Sequence, residues 1–412
     1  MIDPKLRIKY WLSWLWVFLC ALAIFLVVPT ARAIQSFVSA RWGRPLFGYS
    51  VLFIIVSAFV ILVYVLVFRL KIRSPSNYIW LSVVAGLYVY FTIRLWRAPE
   101  EAVHFLEYGL LGFFLFRALS FTIKDKTIYL AAILIGSLVG IFDEILQWIM
   151  PLRYWDLRDV GLNAFSVVLF QTALWKGIQP KIISEKIKSM SIRLVSSLLA
   201  ANILLLGICM SNTPQRVARY TKLIPGLSFL QKEETMTEFR HKHRDPEIGV
   251  FYSRLSLEKL EKTDKERSFT YAQILKEWME KDYENFLRDF SGSTHPFLHE
   301  LRVHIFRRDK KYEAGLLAED EKKKREALFI AYKENLILEK YFGRTFRKSE
   351  YKWTKEKTKE TEVLIDKSQF YRSAVSYGLF SSFGEITMWL SIFAFLALLV
   401  LFNVWIAPKL RK

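Results

Sequence analysis

Between Glu101 and Asn163 the chain places ionisable and amide side chains at helical spacing inside segments that are otherwise apolar. The first group is E-A-V-H-F-L-E-Y-G-L-L-G, in which His104, Glu107 and Tyr108 stand three and four residues apart and share one helix face. The second is I-F-D-E-I-L-Q-W-I-M-P-L-R, with Asp143 and Gln147 four apart and Glu144 beside them. The third, D-V-G-L-N, repeats that spacing with Asp159 and Asn163. Carboxylates and imidazoles within a bilayer are expensive, so each calls for a partner, a water-lined cavity or a function. Acid/base chemistry would fall to Glu144, with His104 and Asp159 as its complements. Tyr108, Asp143, Gln147 and Asn163 offer hydrogen bonds to a ligand, and Arg153 and Arg158, between the second and third groups, offer cations to an anionic headgroup. The alternative is that these groups only pair with one another and fix helix register. Glu101 and Glu107 read more simply as interfacial charges.

Stepping outward, apolar runs long enough to cross a bilayer fall near Trp11–Val28, Gly48–Phe68, Tyr78–Trp96, Val103–Leu119, Thr127–Met150, Val160–Trp175, Ile192–Met210 and Thr387–Ile406. The fold class expected is mainly α: a polytopic bundle of about eight spans with an α+β domain inserted before the last. The basic start (Lys5, Arg7, Lys9) and Ala31-Arg32-Ala33 also fit a cleaved signal peptide, but the apolar stretch is longer than such a segment usually carries. Lys and Arg concentrate in the short loops that share a side with the N-terminus, which puts both termini in the cytoplasm and residues 211–386 outside. With that topology the three polar groups lie at one membrane face, the outer one, with Glu144 about 9 Å below Met150, in a shallow cup.

The chain divides into N-terminal spans (1–77), a stretch holding the polar groups (78–176), a further span behind a basic loop (177–210), the inserted domain (211–386) and the last span with its basic tail (387–412). In the domain, Tyr271–Phe290 and Glu321–Phe342 read as amphipathic helices, the second ended by Gly343, and Ile248–Leu255 and Glu300–Phe306 as strands. Lys355–Glu362 is a solvated charge run, and Phe370–Phe383 either lies along the membrane interface or simply connects to the last span. Cys20 and Cys209 both fall in spans, so no disulfide framework is expected. His295 and His299 have helical ligand spacing but no third partner, and no metal or cofactor is assigned. Nucleophile-elbow, phosphate-loop and dinucleotide motifs are missing, and no basic-aromatic module for nucleic acid is visible.

The ordered set H-F-L-E-Y, D-E-I-L-Q-W-I-M-P-L-R and D-V-G-L-N resembles the VanZ-like family of membrane proteins, over roughly Tyr78 to Trp175. The resemblance implies that His104, Tyr108, Asp143, Glu144, Gln147, Arg153, Asp159 and Asn163 are the positions that matter. The family is named for a link to glycopeptide-antibiotic resistance. This chain departs from it in having Ala164-Phe165-Ser166 where a glycine is expected after Asn163, and in carrying the large inserted domain. The expectation is a protein of the bacterial envelope that binds an amphiphile, either a membrane lipid or a lipid-linked glycan, at its outer face. An envelope protein partner would meet residues 211–386. Acid/base catalysis on the amphiphile and a purely structural scaffold remain the alternatives.

Overall fold

The computed structural model describes residues 4–150, 153–230, 235–279, 282–292, 294–366, 369–376, 380–381, 384–406 and 408–409. They form two compact units, one from residues 1–209 and 389–412, the other from 210–388.

The first unit is all helical. Its elements are α1 (Pro4–Trp42), α2 (Pro45–Tyr64), α3 (Pro75–Arg94), α4 (Val103–Leu119), α5 (Thr127–Ile149), α6 (Leu157–Thr172) and α7 (Ser189–Met210). Seven helices of the chain are long and apolar enough to cross a membrane, among the described residues: α1 to α5, α7 and the C-terminal helix. This is the architecture of a multi-pass membrane protein. The expected eighth span corresponds to α6, whose 16 α-helical residues rise only about 24 Å. A π-helical turn, Ala173–Ile178, prolongs it. Its polar Asp159, Asn163 and Gln171 keep it from standing out as a span, yet it packs along both α4 and α5.

Over half of the most apolar stretches of α4 and α5 is buried, against 17% for α2, so the core lies on α4 and α5 while other helices turn apolar faces outward. Leu111, Leu115 and Ala118 of α4 pack with Ile128, Ala131 and Ala132 of α5, Val167 of α6, and Val17 and Ile24 of α1. Two glycines on α5 let α6 approach. A Cβ on Gly136 would stand 2.7 Å from Val167 Cγ2, and one on Gly140 would stand 2.9 Å from Asn163 Cβ. The two stand four apart in G-S-L-V-G, a small-x3-small pattern on the α5 face that meets α6. α1 runs unbroken through Pro29 for 39 residues, about 58 Å, so Ala31-Arg32-Ala33 lies within the helix.

The second unit comprises α8 (Pro214–Leu223), β1 (Glu238–Phe239), β2 (His241–Asp245), β3 (Gly249–Ser253), α9 (Leu257–Glu277), α10 (Tyr283–Asp289), α11 (Pro296–Leu317), α12 (Glu321–Tyr341), α13 (Gly343–Lys348), α14 (Lys355–Val363) and β4 (Phe380–Ser381). The final helix, α15 (Glu385–Ile406), returns to the first unit, where Ile392 and Trp389 crowd Gly207 of α7. β2 and β3 form an antiparallel hairpin, and β1 pairs with β4 in parallel.

Two expectations for this unit need correction. Glu300–Phe306 is helical, inside α11: Leu298, Leu301 and Ile305 recur at three and four residues and are fully buried, which outweighs the short alternation read as a strand. Tyr271–Phe290 is two helices, because α9 starts back at the Ser256 cap and ends at Glu277, and Asp282 caps a new start at α10. The helix expected to stop before Gly343 does so, α12 ending at Tyr341, and Gly343 itself opens the short α13. Phe370–Phe383 lies partly outside the described residues. Its described part is built into the unit: Tyr371, Ser373 and Val375 are buried, and Val250 and Ser373 exchange backbone hydrogen bonds with Tyr371 and Val250 at 2.9 Å each.

Buried carboxylates clamp this unit. Glu334 of α12 accepts from His304, Arg307, the Tyr371 hydroxyl and Ser373, while Glu300 of α11 accepts from Ser253 and the Arg254 amide. His299 makes a 3.0 Å contact with the Phe290 carbonyl, and burial, with Arg254 nearby, pushes its pKa down to about 4. It is a core histidine held neutral at ordinary pH.

The glycine seam yields a test. Gly140→Ala should destabilise the purified protein by about 1–3 kcal/mol through overpacking against Asn163. Gly86→Ala, where an added Cβ meets nothing within 4 Å, should be neutral or mildly stabilising. Thermal melts of the two variants check this; equal melting temperatures would rule out the seam.

Candidate functional site

The site is built where the start of α4, the end of α5 and the start of α6 meet one face of α1. Each helix brings its polar residues because they sit within a turn or two of a helix end, where the bundle opens. On α4, His104 and Glu107 face each other across one turn, with His104 Nδ1 3.1 Å from Glu107 Oε2. One residue further, the wholly buried Tyr108 donates its hydroxyl to Asp143 Oδ2 at 3.3 Å.

Gln147 is the junction of α5. Its amide nitrogen donates to Glu144 Oε1 at 2.7 Å and to Asp143 Oδ2 at 3.4 Å, and its carbonyl oxygen accepts from Arg153. That carbonyl contact with a guanidinium fixes which way the amide points. Glu144 is completely buried and accepts the Asp156 backbone N–H at 3.4 Å, which ties the loop after α5 back onto the helix. Asp156 in turn caps α6, accepting from the Arg158 amide at 2.7 Å. Arg158 bridges Glu101 at 2.8 Å and Asp159 at 3.4 Å. Asn163 is wholly buried with neither side-chain atom paired among the described residues, pressed against Gly140.

A cavity of about 320 Å³ opens between these groups. Its polar wall includes His104, Glu107, Asp143, Gln147, Arg153 and Asp159, continued by Glu100 and Glu101. Its other wall is α1, where Ile24, Val27, Val28, Ala31 and Ile34 recur at helical spacing and Arg32 and Gln35 join them. From Ile24 to Gln35 the α1 wall runs about 16 Å. The site is thus longer and more apolar on one side than the shallow cup expected from the sequence.

The candidate residues divide in two. His104, Asp143, Gln147, Arg153 and Asp159 line the cavity, whereas Tyr108, Glu144, Arg158 and Asn163 are not among its lining residues. Tyr108 and Glu144 reach it through Asp143 and Gln147. Glu101 and Glu107, read as interfacial charges, are part of the wall. Glu100, Arg32 and Gln35 were not foreseen, and Gln35 donates to Glu100 at 2.6 Å, joining α1 to the turn before α4. The Pro151 of the Pro-x-Arg segment lies outside the described residues. No group of three or more His, Cys, Asp and Glu suited to a metal ion occurs among the described residues.

Compared with known proteins, the chain matches no family model, no curated protein and no solved structure.

Because one amide serves three groups, Gln147→Met should cost about 2–4 kcal/mol, leaving two buried carboxyls and a guanidinium each short of a partner. Chemical or thermal unfolding in detergent measures it. A loss under 1 kcal/mol would show that the network contributes little to the fold.

Proposed function

We propose that this chain is a VanZ-like integral membrane protein of the bacterial envelope whose cavity holds the headgroup of an amphiphile, either a membrane lipid or a lipid-linked glycan. The observation that carries this reading is the make-up of the cavity: ionisable groups at the ends of α4, α5 and α6 on one wall, and a continuous apolar helix face on the other. A wholly polar solute would gain nothing from Ile24, Val27, Val28 and Ile34, and a wholly apolar one would strand the carboxylates. A molecule with a polar head and an apolar tail satisfies both. The three polar motifs support the family reading by resemblance.

The cavity faces the outside in this account, because the loops at its end hold few Lys and Arg while those at the other end hold many. Counting α6 as a crossing gives eight spans, with both termini cytoplasmic and residues 211–386 extracytoplasmic, positioned to engage an envelope partner. Acid/base catalysis is the second reading, favoured by the His104–Glu107 pair on the cavity wall. Glu144, fully buried behind Gln147, would support such a site rather than touch substrate.

Two measurements test these statements. Ala31→Phe projects a ring from the α1 wall into the cavity and should reduce co-purified envelope lipid, counted by native mass spectrometry, at least tenfold without lowering the melting temperature. Unchanged lipid would favour the scaffold reading. Separately, Lys359→Cys on exposed α14 should react with a membrane-impermeant maleimide on intact cells, since Cys20 and Cys209 lie in helices of the membrane unit. Labelling only after the membrane is opened would put the inserted domain in the cytoplasm.

A further inference from the structure

The first unit is strongly basic, holding 24 of the chain's Lys and Arg residues and only ten of its Asp and Glu residues. Five of those ten, Glu100, Glu101, Glu107, Asp143 and Asp159, line this one cavity, against two arginines, Arg32 and Arg153. Carboxylates this concentrated in a basic, lipid-facing unit would repel a headgroup whose only charge is negative.

Two of the arginines serve the rim of the cavity. Arg44 meets Glu100, and Arg158 meets Glu101 and Asp159; the two arginine side chains are 49% and 62% exposed. Deeper in, Asp143 is 2% exposed, and its partners are the neutral Tyr108 hydroxyl and Gln147 amide, both at Oδ2 and both longer than 3.2 Å. Asp143 Oδ1 accepts from no described residue. No Lys or Arg bonds Asp143 among the described residues, and its basic neighbour His104 is engaged 3.1 Å from Glu107, so a carboxylate this buried gains from a further cation in the cavity it lines.

We infer, resting on the amphiphile reading above, that the headgroup taken up here carries a protonated primary amine beside its phosphate. The ammonium, with three N–H donors, would sit between Asp143 and Glu107, and Arg153 and Arg32 would take the phosphate oxygens. A quaternary amine fits less well. It has no N–H for the carboxylates, and among the lining residues the aromatics besides His104 are Phe47 and Tyr154, too few for an aromatic cage. The volume, about 320 Å³, suits a headgroup and its first carbons rather than a whole lipid.

The test is titration of the full-length protein in detergent with phosphatidylethanolamine, phosphatidylcholine and phosphatidylglycerol of identical acyl chains, read by native mass spectrometry. Glucosamine 1-phosphate serves as a probe for an amino-sugar source. Phosphatidylethanolamine should bind at least tenfold tighter than the other two lipids, and both Asp143→Asn and the partly exposed Glu107→Gln should remove that preference, weakening phosphatidylethanolamine binding without weakening phosphatidylglycerol binding. Competition by glucosamine 1-phosphate at lower concentration than phosphatidylethanolamine would keep the amine and assign it to a glycan. Equal or tighter binding of phosphatidylglycerol, sensitive to Ala31→Phe, would overturn the amine inference and leave the amphiphile reading standing. No saturable binding of any probe would overturn both.

Discussion

Burying Asp143 and Glu144 side by side on a membrane helix is the constraint around which the first unit is organised. A carboxylate deep in a span costs ~3 kcal/mol even by the mildest scales. Two neighbours on one helix point about 100° apart, so each needs partners of its own beyond any they share. The bundle answers with two solutions. Glu144 is sealed between the Gln147 amide and the Asp156 backbone N–H, inside protein. Asp143 is turned to the Tyr108 hydroxyl and the cavity. Gln147 touches both carboxyls and Arg153, so one neutral side chain links the structural carboxyl, the cavity carboxyl and a cation of the cavity wall.

That arrangement holds only if α4, α5 and α6 come close. Gly136 and Gly140 permit the approach by giving Val167 and Asn163 the room a methyl group would take. The same closeness leaves Asn163 wholly enclosed with its amide unpaired among the described residues, which is a cost accepted at the seam. Arg158, by joining Glu101 before α4 to Asp159 on α6, closes the rim of the same cavity from outside.

Much of the polar wall was legible in the sequence because helical spacing is rigid: three- and four-residue intervals put His104 with Glu107 and Asp143 with Gln147 whatever surrounds them. The apolar wall was not legible. From Trp14 to Val28 α1 is apolar all round, so nothing in its pattern marks Ile24 and Val28 as a face that meets other residues rather than lipid. Glu101 looked like an interface charge because its partner, Arg158, becomes a neighbour only after the start of α6 packs beside the turn before α4. In the second unit the alternation at Leu301, Val303 and Ile305 mimicked a strand. The deciding residues, Leu298 and the buried Glu300, Arg302 and Arg308, are informative only once the polar side chains are known to lie inside. Polar residues in a core mislead a reading based on apolar period, and this unit holds several.

The central claim is that the cavity bordered by α1, α4, α5 and α6 is shaped for the head of an amphiphile and is completed by it. The most direct measurement is an experimental density map of the protein in a nanodisc of envelope lipid, at a resolution that shows side chains. The account predicts elongated density running along Ile24 to Gln35, with its polar end within hydrogen-bond distance of Asp143 or Arg153. A cavity closed by Arg153 swung onto Asp143, or one holding only water, would contradict it.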